Sequence, residues 1–140
     1  KSFTDHNDWI YSNIWDLLVP CSTTTNWADL VNFTALNENW ILLGGDISIL
    51  RFKESGSNIF YAYFLTNFKK KEIAQYAQWS TIFHLSFTNF KHLKIKIPQT
   101  VEQQKIASFL SEIDTRIQFS TEQIKEAENW KKGLLQGMFI

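Results

Sequence analysis

The chain has one cysteine, Cys21, among its 140 residues. A lone thiol forms no internal disulfide and no CxxC zinc site, which excludes a disulfide scaffold and a zinc module. A reducing, cytoplasmic setting is the expectation. Proline is nearly as scarce, with only Pro20 and Pro98, and there are five glycines, so a loop-rich or low-complexity chain is excluded. Long hydrophobic runs are missing too. The longest apolar stretch, Ile59 to Leu65, is far too short to span a bilayer, and the polar start, Lys1 to Asp8, does not lead into a signal peptide. No membrane partner is expected. Nor is there an excess of one charge: 14 basic and 14 acidic residues give a net charge of zero. Neutralising phosphates usually leaves a basic excess, so any nucleic-acid role must rest on local charge.

What is abundant is core material. The chain is 44% hydrophobic and 16% aromatic, with six Trp and twelve Phe, so it can bury a real core and does not read as disordered. Its length fits one domain, or one small domain with an extension. It starts at Lys1 without a Met, as a fragment or processed piece would.

The pattern changes at Pro98. Before it, short apolar runs alternate with polar turns. Trp40 to Leu43 and Ile47 to Phe52 read as strands around Gly44-Gly45-Asp46. Ile59 to Ala77 predicts a helix of about four turns with Phe60, Phe64, Phe68 and Ile73 near one face. Ser80 to Leu85 and His92 to Ile97 predict strands, the second because Leu93, Ile95 and Ile97 alternate with Lys94 and Lys96. After Pro98, Thr100-Val101-Glu102-Gln103 reads as a capping box that opens a long helix. Steps of four and three from Ile106 reach Leu110, Ile113, Ile117, Ser120, Ile124, Ala127, Lys131, Leu134 and Met138, and eight of these ten positions are apolar. A helix over roughly 101–138 would be about 55 Å long. One small domain cannot cover it throughout, so its stripe, reinforced by Phe109 and Trp130, calls for a partner helix.

Catalytic sets are absent from the sequence. His6, His84 and His92 do not stand at metal-ligand spacing, and no P-loop, GxGxxG or GxSxG pattern occurs. Strand or turn histidines are the simpler reading of His84 and His92. With two separated prolines, the [DN]PP[FY] tetrapeptide of adenine methyltransferases is impossible. No enzyme activity, metal or other cofactor is expected. Local charge and polarity are more suggestive. Lys69-Lys70-Lys71 is one basic cluster; Lys91, Lys94 and Lys96 form another. Ser22 to Asn26 is a hydroxyl-rich loop whose side chains can donate to phosphates or meet base edges. Equally, Thr25 or Asn26 could simply cap a helix starting near Trp27.

Several segments together resemble the specificity subunits of type I restriction–modification systems. Asp16 to Thr25, followed by Asp29, is similar to their "DLLIP-S-GET-x-x-DI" stretch. Gly44 to Arg51 resembles "GGDxxILR", Phe60 to Leu65 the aromatic "FLxYxL" helix, and Ala77 to Leu85 "AxGxTVxHL". Leu93 to Asp114 resembles "LxIxIPxxxEQxKIAxFLxxID" closely, and Lys132 to Phe139 matches the usual end of the conserved helix. Trp79 stands where a Gly is usual, and Thr24 where Glu is.

The resemblance implies an α+β fold: a small mixed α/β target-recognition domain over 1–98, shorter than usual, then a long C-terminal helix over 99–140 forming an antiparallel coiled coil with a partner helix. It implies a non-catalytic component that reads half of a bipartite site in double-stranded DNA. Its implied partners are methyltransferase subunits, a restriction/motor subunit, and a second specificity half or a second copy of the chain. The expected DNA contacts are Ser22, Thr23, Thr25, Lys69, Lys70, Lys71, Gln78, Ser80 and His84. The expected helix–helix contacts are Ile106, Leu110, Ile113, Ile117, Ile124 and Leu134. The alternative is a coiled-coil assembly module that does not bind DNA, which the neutral net charge favours.

Overall fold

The computed structural model describes residues 10–51, 57–79, 82–86 and 93–139. The chain divides into two compact units, residues 1–104 and 105–140. The first is a mixed unit. Its strands are β1 (Leu17–Pro20), β2 (Ser22–Thr23), β3 (Thr34–Ala35), β4 (Ile47–Leu50), β5 (Gln78–Trp79) and β6 (Phe83–His84). Its helices are α1 (Trp27–Leu30), α2 (Asn58–Tyr63) and α3 (Lys70–Ala74). The last helix, α4 (Thr100–Met138), begins in the first unit and makes up nearly all of the second.

β1 is the middle strand of an antiparallel sheet ordered β3-β1-β4. Leu17 and Val19 are buried while Leu18 and Pro20 are half-buried, the alternation of a strand with one face on the core. Leu17 pairs with Leu50 and Val19 with Ser48, and the Cys21 N–H continues the ladder to the Asp46 carbonyl at 3.0 Å. Pro20 falls between these bonded positions, so its missing N–H leaves the bonds to β4 intact.

A second small sheet, β2-β6-β5, pairs Ser22 with His84 and Gln78 with His84, and Thr23 and Trp79 with Phe83. The core of this unit gathers Leu17, Val19, Leu30, Val31, Phe33, Phe60, Leu65, Ile73 and Leu85.

Three sequence expectations change. Trp40 to Leu43 does not pair with β4. Leu42 instead bridges Tyr11, and Trp40 and Ile41 exchange backbone bonds with Ser12. The helix expected over 59–77 is broken at Phe64–Phe68 by a π turn, closed by the Lys69 N–H on the Phe64 carbonyl at 3.0 Å. Its extra residue rotates the side chains of the next turns about the helix axis. Phe60, Phe64 and Phe68 stack in series, with centroids 5.5 and 5.3 Å apart, yet Phe68 ends exposed while Ile73 is buried. Thr66 pins this turn: its hydroxyl accepts from the Phe33 N–H at 2.8 Å and donates to the Phe33 carbonyl at 3.3 Å. Finally, residues 93–97 form no strand, although Leu93 and Ile95 are more buried than Lys94 and Lys96. Of the strand expected over 80–85, Phe83 and His84 are paired. Phe52, Ser80, Thr81, Lys91, His92 and His6 lie outside the described residues.

The start of α4 differs in detail from a capping box. The Gln103 N–H donates to the Gln99 carbonyl at 2.9 Å, and its side-chain amide donates to the Pro98 carbonyl, also at 2.9 Å. Its side-chain oxygen accepts from the Ser57 N–H at 3.4 Å. Gln103 is therefore buried with both ends of its amide engaged, and ties the helix start to the chain before α2. From there α4 runs 39 residues, about 58 Å. Among the described residues, no helix is long and apolar enough to cross a membrane.

Candidate nucleic-acid interface

The hydroxyl loop leaves β1 at Cys21 and ends where Asn26 caps α1, accepting from the Ala28 N–H at 3.0 Å. Its hydroxyl protons are engaged by neighbouring side chains. Ser22 donates to the Asp46 carboxylate. Thr25 donates to Asp29 at 2.6 Å. Thr23 and Thr25 are in contact at 2.9 Å. A hydroxyl has one proton, and Thr25 gives its own to Asp29, so Thr23 must donate to Thr25. What these side chains still present outward is lone pairs beside two exposed carboxylates. Lone pairs so placed can accept from a donor such as a base amino group.

The small sheet sorts the other candidates. Directly opposed residues of an antiparallel ladder share a face. Ser22, His84 and Gln78 therefore form one cross-strand row, with His84 and Gln78 exposed. Thr23 and Phe83 belong to the next row, on the opposite face. Ser80 lies outside the described residues.

The three lysines are not equivalent. Lys69 Nζ is 2.6 Å from Glu72 Oε1 and 5.4 Å from the centre of the Phe68 ring, and its side chain is only 15% exposed. Lys70 is half-buried, and Lys71 is exposed on α3. α1 packs against α3, β2 and β6. At this junction lies an open cleft of about 320 Å³ lined by Trp27, Lys71, Ala74, Gln75, Ala77 and Phe83. Of this set, sequence reasoning singles out Lys71 alone. The helical spacing of Lys71, Ala74 and Gln75 is the signal for one wall; Trp27 and Phe83 join it only through the tertiary fold.

An ion pair joins the ends of β1 and β4. Arg51, just after β4, grips Asp16, just before β1, with Nε–Oδ1 at 2.8 Å and Nη2–Oδ2 at 3.1 Å. Asp16 also accepts from the Asn13 N–H at 2.8 Å, and Arg51 donates to the Tyr11 carbonyl at 3.0 Å. The hydrogen bond to Asp16 raises the Arg51 pKa above the usual guanidinium range, against a smaller lowering by desolvation. The first residue of one motif thus holds the last residue of another, which explains why both stand at these positions.

In the second unit, α4 displays its apolar stripe. Ile113, Ile117, Ile124 and Leu134 are exposed, as are Phe109 and Trp130, while Ile106 and Leu110 are half-buried. Among the described residues no group of three metal-ligating side chains occurs.

A family model, the type I restriction modification DNA specificity domain, matches residues 24–129. The chain is also similar to a protein of Methanocaldococcus jannaschii named as the putative specificity subunit of the type I restriction enzyme MjaX, with 33% identity over 103 residues. The aligned part is 71% of this chain and 24% of that protein, so the chain spans about a quarter of that relative's length. No solved structure matches the chain.

Proposed function

Because the chain belongs to the family of type I restriction–modification DNA specificity domains, we propose that it recognises one half of a bipartite site in double-stranded DNA. In this reading it directs methyltransferase subunits, and with them a restriction/motor subunit, to that site and performs no chemistry itself. The carrying observation is the family match over residues 24–129, which takes in Thr24, Thr25 and Asn26 of the hydroxyl loop, α3, strands β5 and β6 of the small sheet and most of α4. Lys70, Lys71, Gln78 and His84, which are accessible to different degrees, are the proposed contacts, joined by Ser80. Ser22, Thr23 and Thr25 serve as acceptors toward bases, and Lys69 contributes once released from Glu72. The stripe Ile106, Leu110, Ile113, Ile117, Ile124 and Leu134 packs antiparallel on a partner helix, from a second specificity half or a second copy.

The test is a titration of the purified chain against random duplex DNA at low salt, followed by selection from a randomised library. Binding that weakens steeply with salt, with one enriched half-site, is expected. A second reading, an assembly module without DNA binding, is favoured by the zero net charge and by the carboxylates beside the loop. Absence of binding at low salt would decide for it.

A further inference from the structure

We propose that the cleft between α1, α3 and β6 reads the major-groove edge of one A·T base pair, with Gln75 on the adenine and the apolar wall on the thymine methyl. This rests on the DNA-reading function above and says where in the fold a base is read. Three observations carry it. The wall is apolar and aromatic, made of Trp27, Ala74, Ala77 and Phe83, and open to solvent, so it suits a small convex apolar group. Its polar members are one amide, Gln75, and one ammonium, Lys71, both exposed. None of the six lining residues is acidic, whereas the hydroxyls of the neighbouring loop bond Asp29 of α1 and Asp46, just before β4.

In the major groove an A·T pair presents the adenine N7 acceptor, the N6 donor and the thymine C5-methyl side by side. A glutamine amide matches the first two in a bidentate arrangement, and an apolar wall matches the third. Lys71 at the same cleft suits the flanking phosphate, which Asp29 and Asp46 beside the hydroxyl loop would repel. A G·C pair offers no methyl and would leave the wall against polar atoms. An acidic peptide or a small anion would use Lys71 but leave the aromatic wall unexplained.

The experiment uses the half-site enriched by the chain. Each thymine is replaced in turn by deoxyuridine, which removes only the C5-methyl. Each adenine is replaced by 7-deazaadenine, which removes only the N7 acceptor. With unaltered protein, one thymine position should lose about fourfold in affinity, the value of one buried methyl-sized group. Its paired adenine should lose at least about fivefold. Trp27→Ala should abolish the deoxyuridine effect and Gln75→Ala the 7-deaza effect, each at that pair alone. Uniform affinity across all substituted duplexes overturns the cleft proposal while leaving DNA binding intact. Failure of the chain to bind any duplex overturns both.

Discussion

Two kinds of residue carry tension in this chain, and they differ in what supports them. Asp16 is a nearly fully buried carboxylate, 2% exposed, whose partner Arg51 is 50% exposed. Removing one partner of a fully buried pair costs about 3–5 kcal/mol because a charge is stranded. Here water reaches the guanidinium, so much of the Coulomb term is already screened. Arg51→Met should therefore cost about 2 kcal/mol by urea denaturation, with Asp16 keeping only the Asn13 N–H. Because the Arg51 pKa is raised, its contribution is fully present below the ordinary guanidinium range and lost only as pH rises through the raised value. The arginine's own protonation should thus leave this pair unchanged across neutral pH. Trp15 and Trp40 present the opposite case. Their φ angles of 79° and 65° lie in the left-handed region, where a side chain costs about 1–2 kcal/mol. Trp15 is 58% exposed, so little packing offsets that cost. Trp15→Gly should leave stability unchanged or raise it by up to about 1 kcal/mol, where tryptophan-to-glycine at an ordinary φ would destabilise. A clear loss in the same denaturation assay would mean that the indole makes a contact worth more than the strain.

At the scale of elements, periodic signals are legible in the sequence and pairing is not. The apolar run after Gly44-Gly45-Asp46 places β4, and the four-three spacing places the long helix over roughly 101–138, which α4 fills. The alternation over 93–97 forms no strand, because a period of two describes which side chains face inward and says nothing of whether a neighbouring strand is present. The π turn in the aromatic helix is invisible because its cause is distant: Thr66 bonds Phe33, thirty-three residues earlier. The sequence marks Gln103 as a helix-start residue, but its partners are Pro98 and Ser57. Gln103→Ala should cost about 1–2 kcal/mol, since the Ser57 N–H and the Pro98 carbonyl would lose their partner. Gln103→Glu should retain the bond from Ser57 and lose the one to Pro98. Along α4, the exposed pairs Arg116–Glu112 and Gln118–Glu122 contribute only a few tenths of a kcal/mol each. Lasting order in so long a helix must come from covering its stripe. Ile117 is 58% exposed in the isolated chain. Ile117→Asp should abolish self-association measured by sedimentation and leave the melting of the first unit unchanged. A monomeric unaltered chain would point to a separate specificity half as the partner.

For the molecule as a whole, zero net charge removes long-range attraction to a polyanion, so the proposed DNA binding would draw its affinity from a few local cations. The sequence reveals where those cations cluster but not which are available, because availability is set by side-chain partners. Ser22 meets Asp46 only because β1 and β4 are adjacent, and Lys69 meets Glu72 only because the chain re-enters a helix after the π turn. Lys69 and Lys71 therefore differ in surroundings. Lys71 is exposed at the cleft, whereas Lys69 has one carboxylate at 2.6 Å and an aromatic ring beneath it. Each phosphate contact contributes close to one unit to the slope of log K against log salt, so deleting it should lower that slope by about 1. Lys71→Ala should show this full change in anisotropy titrations between about 50 and 200 mM salt. Lys69→Ala should show less, because Lys69 must first leave Glu72 and its gain from DNA is reduced by that loss. Glu72→Gln frees Lys69 without removing it and should raise both affinity and slope. Equal slopes for the Lys69→Ala and Lys71→Ala variants would mean that the Glu72 pair does not persist in solution.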